Sequence, residues 1–545
     1  MNRLKGIPYG ISDFNRLRND NFYFVDKTIY LPLIERMPSY LSLTRPRRFG
    51  KSLFLSMMRT YYDLLQRDNF DRYFGDLWIG AHPTDQRNHY QVLYFDFSKA
   101  GCSVPGDGMM ASFNEYSSLV INQFADDYAS FYDPDFKSTV ESISSAKAKL
   151  SYIELKAKAK GYPLYLTIDE YDNFTNVILS EHGQKMFHDL THASGFYREY
   201  FKQYKGMFDR IFLMGVSPVT LDDLSSGYNI DWNISTDSRF NAMMGFSETE
   251  VREMFRYYQE NDALPGDIEA MIAEMKPWYD NYCFARMSLG DDRVFNCDMT
   301  LYYLRSQFDF HRSPEEMVDK NIRTDYSKLK MLARIDHDSA HEGSRMSTIE
   351  EIATKGEILV NLHTSFPAER VADVDNFRSL LYYYGLLTMC GTRGDRLRMC
   401  IPNHCVREQY FGFLREYYQQ AHPLDLSRLK DQIDDLAYDG VWKPFFESIA
   451  CAYRENSSVR DGMEGERNLQ GFLKAYLALA SYYLVEPELE MNYGYCDFFL
   501  LPDKQRYRTL STATSSNSNT LPAPLPMRNL QCKPTKGIAD RKSVV

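Results

Sequence analysis

The run Arg45-Pro46-Arg47-Arg48-Phe49-Gly50-Lys51-Ser52 holds the residue types that bind a polyphosphate. Its second half follows the pattern G-x-x-x-x-G-K-[ST]. Gly50 lets the backbone come close to a phosphate, and Lys51 can reach the β- and γ-phosphates. Ser52 offers a hydroxyl to Mg2+ at a helix start, where unpaired N–H groups favour anions. Arg45 stands where the pattern begins with Gly, so Pro46 must help shape a turn that Gly usually permits. A Gly-Lys-Ser triplet alone carries little weight. Here an apolar strand precedes it in "SYLSLT", and a helical pattern through Leu53, Met57 and Tyr61 follows.

A second constellation lies downstream. "LYLTIDEYDN" is an apolar strand that ends in Asp169-Glu170. In phosphate-loop ATPases the first acid holds Mg2+, directly or through water, and a neighbouring Glu orients or deprotonates the attacking water. Ser217, at the end of a later strand, either senses the γ-phosphate or simply caps the strand. Arg239 in "STDSRFN" is a candidate arginine finger or a plain surface charge. The expected ligands are ATP and Mg2+. The nucleotide-binding set is Arg45, Pro46, Arg47, Arg48, Phe49, Gly50, Lys51, Ser52 and Ser217. Ser52 and Asp169 are the metal positions, and Glu170 is the catalytic one.

The elements that must position these groups read as an α/β fold. Apolar strands are expected at 39–44, Val92–Phe97, Leu164–Ile168 and Arg210–Val216, separated by helical patterns. That alternation implies a parallel sheet covered on both faces. It fills roughly 1–285. Residues 286–440 read as mainly helical, with Tyr- and Leu-rich segments such as "FRSLLYYYGLLTM". "LRMCIPNHCVREQYFGFLREYY" reads as a strand, a turn at Pro402-Asn403 and a helix. In 441–505 an amphipathic helix carries Leu469, Phe472, Leu473, Tyr476 and Leu477, before strands around Glu486–Glu490 and Asp497–Leu501. From Arg506 the periodicity stops, and seven Lys/Arg stand against Asp540. That composition predicts a disordered tail over 506–545.

Bulk composition narrows the classes. A chain of 545 residues holds about two to four domains. A net charge of −11 argues against a general nucleic-acid coat and leaves room for a local basic groove. Aromatics at 15% point to aromatic-rich cores. "MNRLKGIPYG" has no apolar signal region, and no run of about 18 apolar residues exists, so neither secretion nor a membrane span is expected. Nine scattered Cys read as free thiols in a reducing cytoplasm. His188 and His192 flank Asp189 at one-turn spacing, but no third zinc ligand is evident. "CIPNHC" offers Cys400, His404 and Cys405, but no second Cys pair stands at zinc-finger spacing, so its cysteines read as buried thiols beside a turn.

These residues also carry a resemblance. "FVDKTIYLPLIE", "LTRPRRFGKSLFLSMM", "LTIDEYDN", "GVSPVTLDDLSSGYNI" and "MMGFSETEV" resemble the bacterial AAA-ATPase-like proteins that carry a C-terminal domain of the PD-(D/E)XK nuclease superfamily. The resemblance spans the chain to about residue 508. It implies a P-loop ATP-binding module and a nuclease-like end, with DNA as a partner through that end and self-association as a further expectation. A PD-(D/E)XK site needs a helix Glu, an Asp at a strand, and E-x-K or D-x-K on the next strand. The carboxylates hold Mg2+ and the Lys steadies developing charge. By resemblance Glu466 is the helix acid, Asp497 the metal acid after the Gly494 bend, and Glu490 a further candidate. Tyr495 departs from the Arg that often follows that Gly. No E-x-K or D-x-K follows Asp497 on any apolar strand, the later acids being Asp503 in the turn and Asp540 deep in the tail, so the set is vestigial and the domain truncated. The run Thr512–Thr520 is compatible with a shifted reading of that missing strand. The leading reading is an ATP-binding, ATP-hydrolysing protein with a degenerate nuclease-like end. A nucleotide-switched interaction protein without turnover and an ATP-gated DNA nuclease are the alternatives.

Overall fold

The computed structural model describes residues 3–100, 107–174, 176–178, 196–219, 232–291, 293–319, 327–333, 339–367, 370–371, 373–421, 424–456, 466–480, 482–491, 494–502, 507 and 510. Five parallel strands form the main sheet: β1 (Tyr40–Thr44), β2 (Gln91–Asp96), β3 (Leu164–Asp169), β4 (Arg210–Gly215) and β5 (Trp232–Asn233). Their order is β2-β3-β4-β1-β5. The first four occupy the stretches the apolar runs predict. The fifth is two residues long, too short to leave a periodic signal.

Register puts the strand ends in one row. Thr44 pairs with Gly215, Asp169 with Met214, and Asp96 with Asp169. Open parallel sheets bind ligands beyond the carboxyl ends of their strands, and this row is that edge. β3 is buried along its whole length, as a strand covered on both faces must be.

Helix α1 (Lys51–Tyr62) starts where Gly50 turns the chain at φ 85°, a backbone state that costs Gly little and other residues more. Phe54, Leu55, Met57, Met58, Tyr61 and Tyr62 are buried along it. It ends at Asp63, whose carboxylate accepts from Leu65 N at 2.9 Å and so opens the next turn. The aromatic content goes largely into the core around it. Tyr62 and Tyr90 meet the Tyr165 ring at 5.2 and 5.3 Å, and each buried ring contributes roughly 1.5–3 kcal/mol through area removed from water. Helices α2 (Asp107–Asp127) and α3 (Ala146–Lys160) fill the crossover between β2 and β3. Helix α4 (Glu248–Glu260) opens with a reciprocal cap between Ser247 and Glu250. Helix α5 (Cys297–Phe310) is capped by Asn296, whose side chain accepts from Met299 N. Two short antiparallel strands, β6 (Phe246–Ser247) and β7 (Val294–Phe295), join these helices' starts.

The chain divides into two compact units. The first comprises Met1–Lys320, Met331–Arg345 and Leu359–His404; the second Asn321–Lys330, Met346–Ile358 and Cys405–Val545. The first unit contains the sheet, helix α6 (Val374–Tyr383) and a hairpin of β8 (Thr388–Arg393) and β9 (Arg396–Cys400). The expected strand, turn and helix around Pro402-Asn403 are present as β9 and a helix over His404–Ala421. "FRSLLYYYGLLTM" instead splits. Its helix stops at Tyr383, because Gly385 at φ 76° turns the chain into β8.

The second unit contains helix α7 (Glu466–Leu477) and an antiparallel pair, β10 (Tyr483–Met491) and β11 (Gly494–Pro502). Phe472 packs its ring 5.2 Å from Tyr418, and buried Lys474 donates to Thr354 O at 2.8 Å. Tyr507 lies 5.0 Å from the Tyr482 ring, and Leu510 is buried. Cys283, Cys297, Cys390, Cys400 and Cys405 are free thiols. Cys451 corrects the expectation of free thiols throughout, because it is disulfide-bonded.

Candidate nucleotide site

Lys51 and Ser52 open α1 directly beyond β1, and Asp169 and Glu170 close β3. The register of the sheet brings these two sequence-distant pairs to one edge. Lys51 is buried. Its Nζ donates to Pro46 O at 3.2 Å and lies 3.8 Å from Glu170 Oε1. The Ser52 hydroxyl lies beside the Asp169 carboxyl, near enough to favour its ionised form. Glu170 sits at φ 52°, and its amide donates to Asp169 Oδ1 at 3.0 Å. A left-handed backbone at a non-Gly residue is uncommon and marks a position held by its surroundings.

Burial pushes the Asp169 carboxyl up to about 6, with nearby Glu170 adding to the rise. The Ser52 hydroxyl and the Lys51 charge oppose it. A desolvated carboxylate beside a hydroxyl is an all-oxygen donor set. Such a set suits a hard cation like Mg2+, which is held by few protein groups and takes substrate phosphates and water as its remaining ligands. The residues fit that ion.

Two cavities meet at this edge. One, of about 300 Å³, runs from the 45–52 loop to the N-terminal segment, with Ile11, Phe24, Val25, Met57, Met243 and Lys27 among its lining residues. The other, of about 570 Å³, is walled by Arg47, Ser52, Arg59, Asp96, Asp169 and Glu170. Ser12, Arg47, Ser52 and Glu170 line both.

The other loop residues divide. Arg45 faces away from both cavities. It is buried, and its guanidinium donates to Thr44 O, Ser235 O and Phe240 O at 2.6–3.0 Å, with the Phe284 ring centroid at 4.3 Å. Burial lowers it to about 10, so it keeps its charge at neutral pH inside a cage of carbonyls. Where the pattern has its first Gly, this chain has an anchor, and the left-handed turn falls on Arg48 at φ 67° and on Gly50. Arg48 pairs with Asp298 at 3.4 Å. Phe49 is buried edge-on against Tyr282 and Phe284. Pro46 gives its carbonyl to Lys51 and its ring to Gly385.

Ser217 is buried just past β4. Its amide donates to Asp172 Oδ2 at 2.6 Å, Val216 N donates to Asp172 Oδ1 at 3.1 Å, and Tyr171 Oη donates to Ser217 O at 2.8 Å. The run "DEYDN" thus does more than supply two acids: its second Asp fastens the end of β4 to the turn after β3. Desolvation pushes Asp172 up to about 6. Arg239 forks onto Asp237, at 3.0 Å from Nε, and lines neither cavity.

Three groups escaped the motif reading. Lys27, from "FVDKT", donates to Ala242 O at 2.9 Å and pairs with Glu250 at 2.6 Å beside the first cavity. Cys297 lines the same cavity, its thiol pushed up to about 12 by burial. Asp96 ends the strand beside β3. The signal for Asp96 was present, an acid closing an apolar strand, but it lacked a partner motif.

The remaining candidates lie elsewhere. Glu466 is the first residue of α7, Glu490 pairs with Tyr495 across the β10–β11 hairpin, and Asp497 lies on β11. The side chains of these three fall outside the described residues. So do His188, Asp189 and His192. Cys405 is buried, and His404 stands edge-on to Trp278 at 5.2 Å. Among the described residues no cluster of three His, Cys, Asp or Glu is set to hold a metal by itself. None of the helices described is long and apolar enough to cross a membrane.

Residues 8–225 match the family described as a predicted AAA-ATPase. Residues 464–512 match the PD-(D/E)XK nuclease superfamily. One stretch of the chain is thus similar to the AAA-ATPase-like family and a second, later stretch to the nuclease superfamily. An uncharacterized protein from the vnfD 5′ region of Azotobacter chroococcum mcd 1 is 29% identical over 318 residues, covering 56% of this chain and 53% of that protein. The chain thus spans about half the length of that curated relative. Among solved structures, Cdc6p from Pyrobaculum aerophilum is similar at 10% identity and a TM-score of 0.26, covering 72% of this chain and 92% of its own. Orc1 from Aeropyrum pernix, solved in complex with DNA, is similar at 10% identity and a TM-score of 0.26, covering 73% and 90%.

Proposed function

We propose that the chain binds Mg-ATP at the edge of the main sheet and hydrolyses its terminal phosphate bond. The observation that carries this reading is the convergence of Lys51, Ser52, Asp169 and Glu170, from two distant segments, on one edge between two cavities. The apolar cavity suits the nucleobase, and the polar one suits the γ-phosphate and the water that attacks it. Helix α1 points its free N–H groups at the phosphates. Lys51 exchanges its Pro46 and Glu170 partners for phosphate oxygens. Arg47, which reaches both cavities, adds charge along the phosphate chain. Ser52 and Asp169 hold the magnesium ion, which when bound offsets the negative charge of the phosphates. Glu170, released from Lys51, orients the water and takes its proton. Ser217, seated by Asp172 just past β4, between the ends of β3 and β1, is the group that reads the γ-phosphate. The parts read at 1–285, 286–440, 441–505 and 506–545 belong to the same proposal, with the nuclease-like end inactive because its E-x-K strand is lost to a shift in reading frame.

Calorimetry with Mg-ATP on the wild type and on Lys51→Ala tests the binding half. Loss of a charge-assisted contact of about 1.5–3 kcal/mol should weaken affinity roughly 10- to 100-fold. Equal affinities, or no binding by the wild type, would end the reading. Steady-state turnover of Glu170→Gln tests the chemical half: ATP affinity should hold while hydrolysis falls about 100-fold or more. An absence of turnover in the wild type leaves a nucleotide-switched protein instead.

A further inference from the structure

The polar cavity beside Asp169 runs on past the nucleotide residues, and it holds a cation with no anion on it. Ser52, Ser56 and Arg59 line it from α1, at spacings of four and three that fall on one helix face. Seven helical residues span about 10 Å, so Arg59 stands about two turns beyond Ser52. Tyr94 and Asp96 line the cavity from β2, and alternate residues of a strand share one face. The half-buried Arg59 guanidinium lies over the Tyr94 ring, 3.8 Å from its centroid. Among the described residues that guanidinium takes part in no hydrogen bond and no ion pair. Burial lowers its pKa, the mark of a charge already partly stripped of water.

The nearby carboxylates are committed elsewhere. Asp63 and Asp13 act on the Arg59 charge from beyond ion-pair range. Asp63 accepts from Leu65 N and Tyr128 Oη at 2.9 and 2.7 Å, and Asp13 accepts from Arg16 N at 2.7 Å. Asp96 accepts from Ser98 Oγ at 2.5 Å and pairs with Lys99 at 3.1 Å. Stacking on Tyr94 uses the face of the guanidinium and leaves its N–H edge for an acceptor. Burial raises the Tyr94 phenol as well, so at neutral pH it is a donor. We propose that this end of the cavity binds a phosphate-type oxyanion, with Arg59 on its oxygens and the hydroxyls of Ser56 and Tyr94 beside it. Arginine's planar fork matches such oxygens in pairs. A cavity of about 570 Å³ has the size of a small-molecule site. The anion site follows from the cavity alone. The choice of phosphate rests on the reading of the other end as the place where the γ-phosphate is cleaved.

Calorimetric titration of the full chain with inorganic phosphate, without nucleotide, is the test. Lys51→Ala removes the phosphate loop as the rival binding place. The wild type should bind, Lys51→Ala should keep that binding, and Arg59→Met should weaken it about tenfold or more. Arg59→Lys keeps a charge in the same place and guards against misfolding as an explanation, and it should retain part of the affinity. No binding by the wild type, equal binding by Arg59→Met, or binding lost in Lys51→Ala overturns the site. Steady-state turnover with added phosphate identifies the source. Inhibition that is relieved in Arg59→Met assigns the site to the cleaved phosphate; binding without inhibition keeps the site and assigns it to phosphate from solution. If the chain turns over no ATP, the nucleotide-free titration still decides the site.

Discussion

Asp169 carries a conflict between folding and function that can be measured. Burial raises its carboxyl to about 6, against about 3.9 for an unperturbed Asp. The folded protein therefore holds that proton more tightly than the unfolded chain. Between about 4 and 6 the folded state binds more protons, so stability falls as pH rises through that window. Above 6 the full cost remains, at roughly 1–3 kcal/mol, since one pKa unit is about 1.4 kcal/mol. Asp169→Asn removes the ionisation. The variant should be more stable than the wild type by about that amount at pH 7.5, and the gain should shrink toward zero as the pH is lowered toward 4. It should also lose Mg-ATP binding. Thermal unfolding across pH, with calorimetry alongside, checks both. A variant less stable at every pH would mean that the native contacts of the carboxylate outweigh the cost of burying its charge.

At the scale of elements, the segment after α6 braces the phosphate loop. Gly385 has φ 76°, and a Cβ there would stand 2.8 and 2.9 Å from Pro46 Cβ and Cγ. Tyr382 Oη donates to Phe284 O at 2.9 Å, and the Phe284 ring in turn lies on Arg45. Gly385→Ala should cost about 1–3 kcal/mol, through the positive φ and the contact with Pro46. It should weaken ATP binding as well, because Pro46 supplies the carbonyl that positions Lys51. Gly161 provides the control: φ is 75°, and a Cβ would meet nothing within 4 Å. Gly161→Ala should share the folding cost and leave nucleotide affinity unchanged. Equal affinities for the two variants would remove the brace from the account. Four strands and the pairs Lys51-Ser52 and Asp169-Glu170 stood out in the sequence because each stands on a local signal, an apolar run or a short motif. The brace, the Arg45 cage and the Asp172 clasp were not. They join residues more than forty positions apart, and such contacts have no period to read. β5 was missed for the opposite reason, since two residues pair with β1 only because the sheet is already there.

At the scale of the whole molecule, the second unit raises the question of how its nuclease-like stretch ends. The match to the PD-(D/E)XK superfamily stops at residue 512. Among the described residues β11 pairs with β10 alone, which leaves β11 an open edge of the kind that seeks another strand. An E-x-K strand would be the natural neighbour, and its absence from this sequence predicts that the purified chain does not cut DNA. The residues Thr512–Thr520 read Thr-Ala-Thr-Ser-Ser-Asn-Ser-Asn-Thr, outside the described part. With Ser as TCN, their codons are ACN GCN ACN TCN TCN AAY TCN AAY ACN. Started from the third base of the first codon, they become NGC NAC NTC NTC NAA YTC NAA YAC. Every NTC encodes Phe, Leu, Ile or Val, YTC encodes Phe or Leu, and NAA encodes Lys, Gln, Glu or stop. The shifted frame therefore spells two apolar residues, then an acid, amide or base, an apolar residue, and another of the NAA set. Ser-Tyr-Ile-Leu-Glu-Leu-Lys-Tyr is one such reading, and it carries E-x-K on an apolar strand. Sequencing the 3′ end of the gene is the measurement. Wobble bases that give GAA and AAA at the two NAA positions are expected; a stop codon, or no Glu-x-Lys, would show the present reading to be native. The repaired protein should then gain Mg2+-dependent DNA cleavage that Asp497→Ala abolishes, while the chain as it stands shows none.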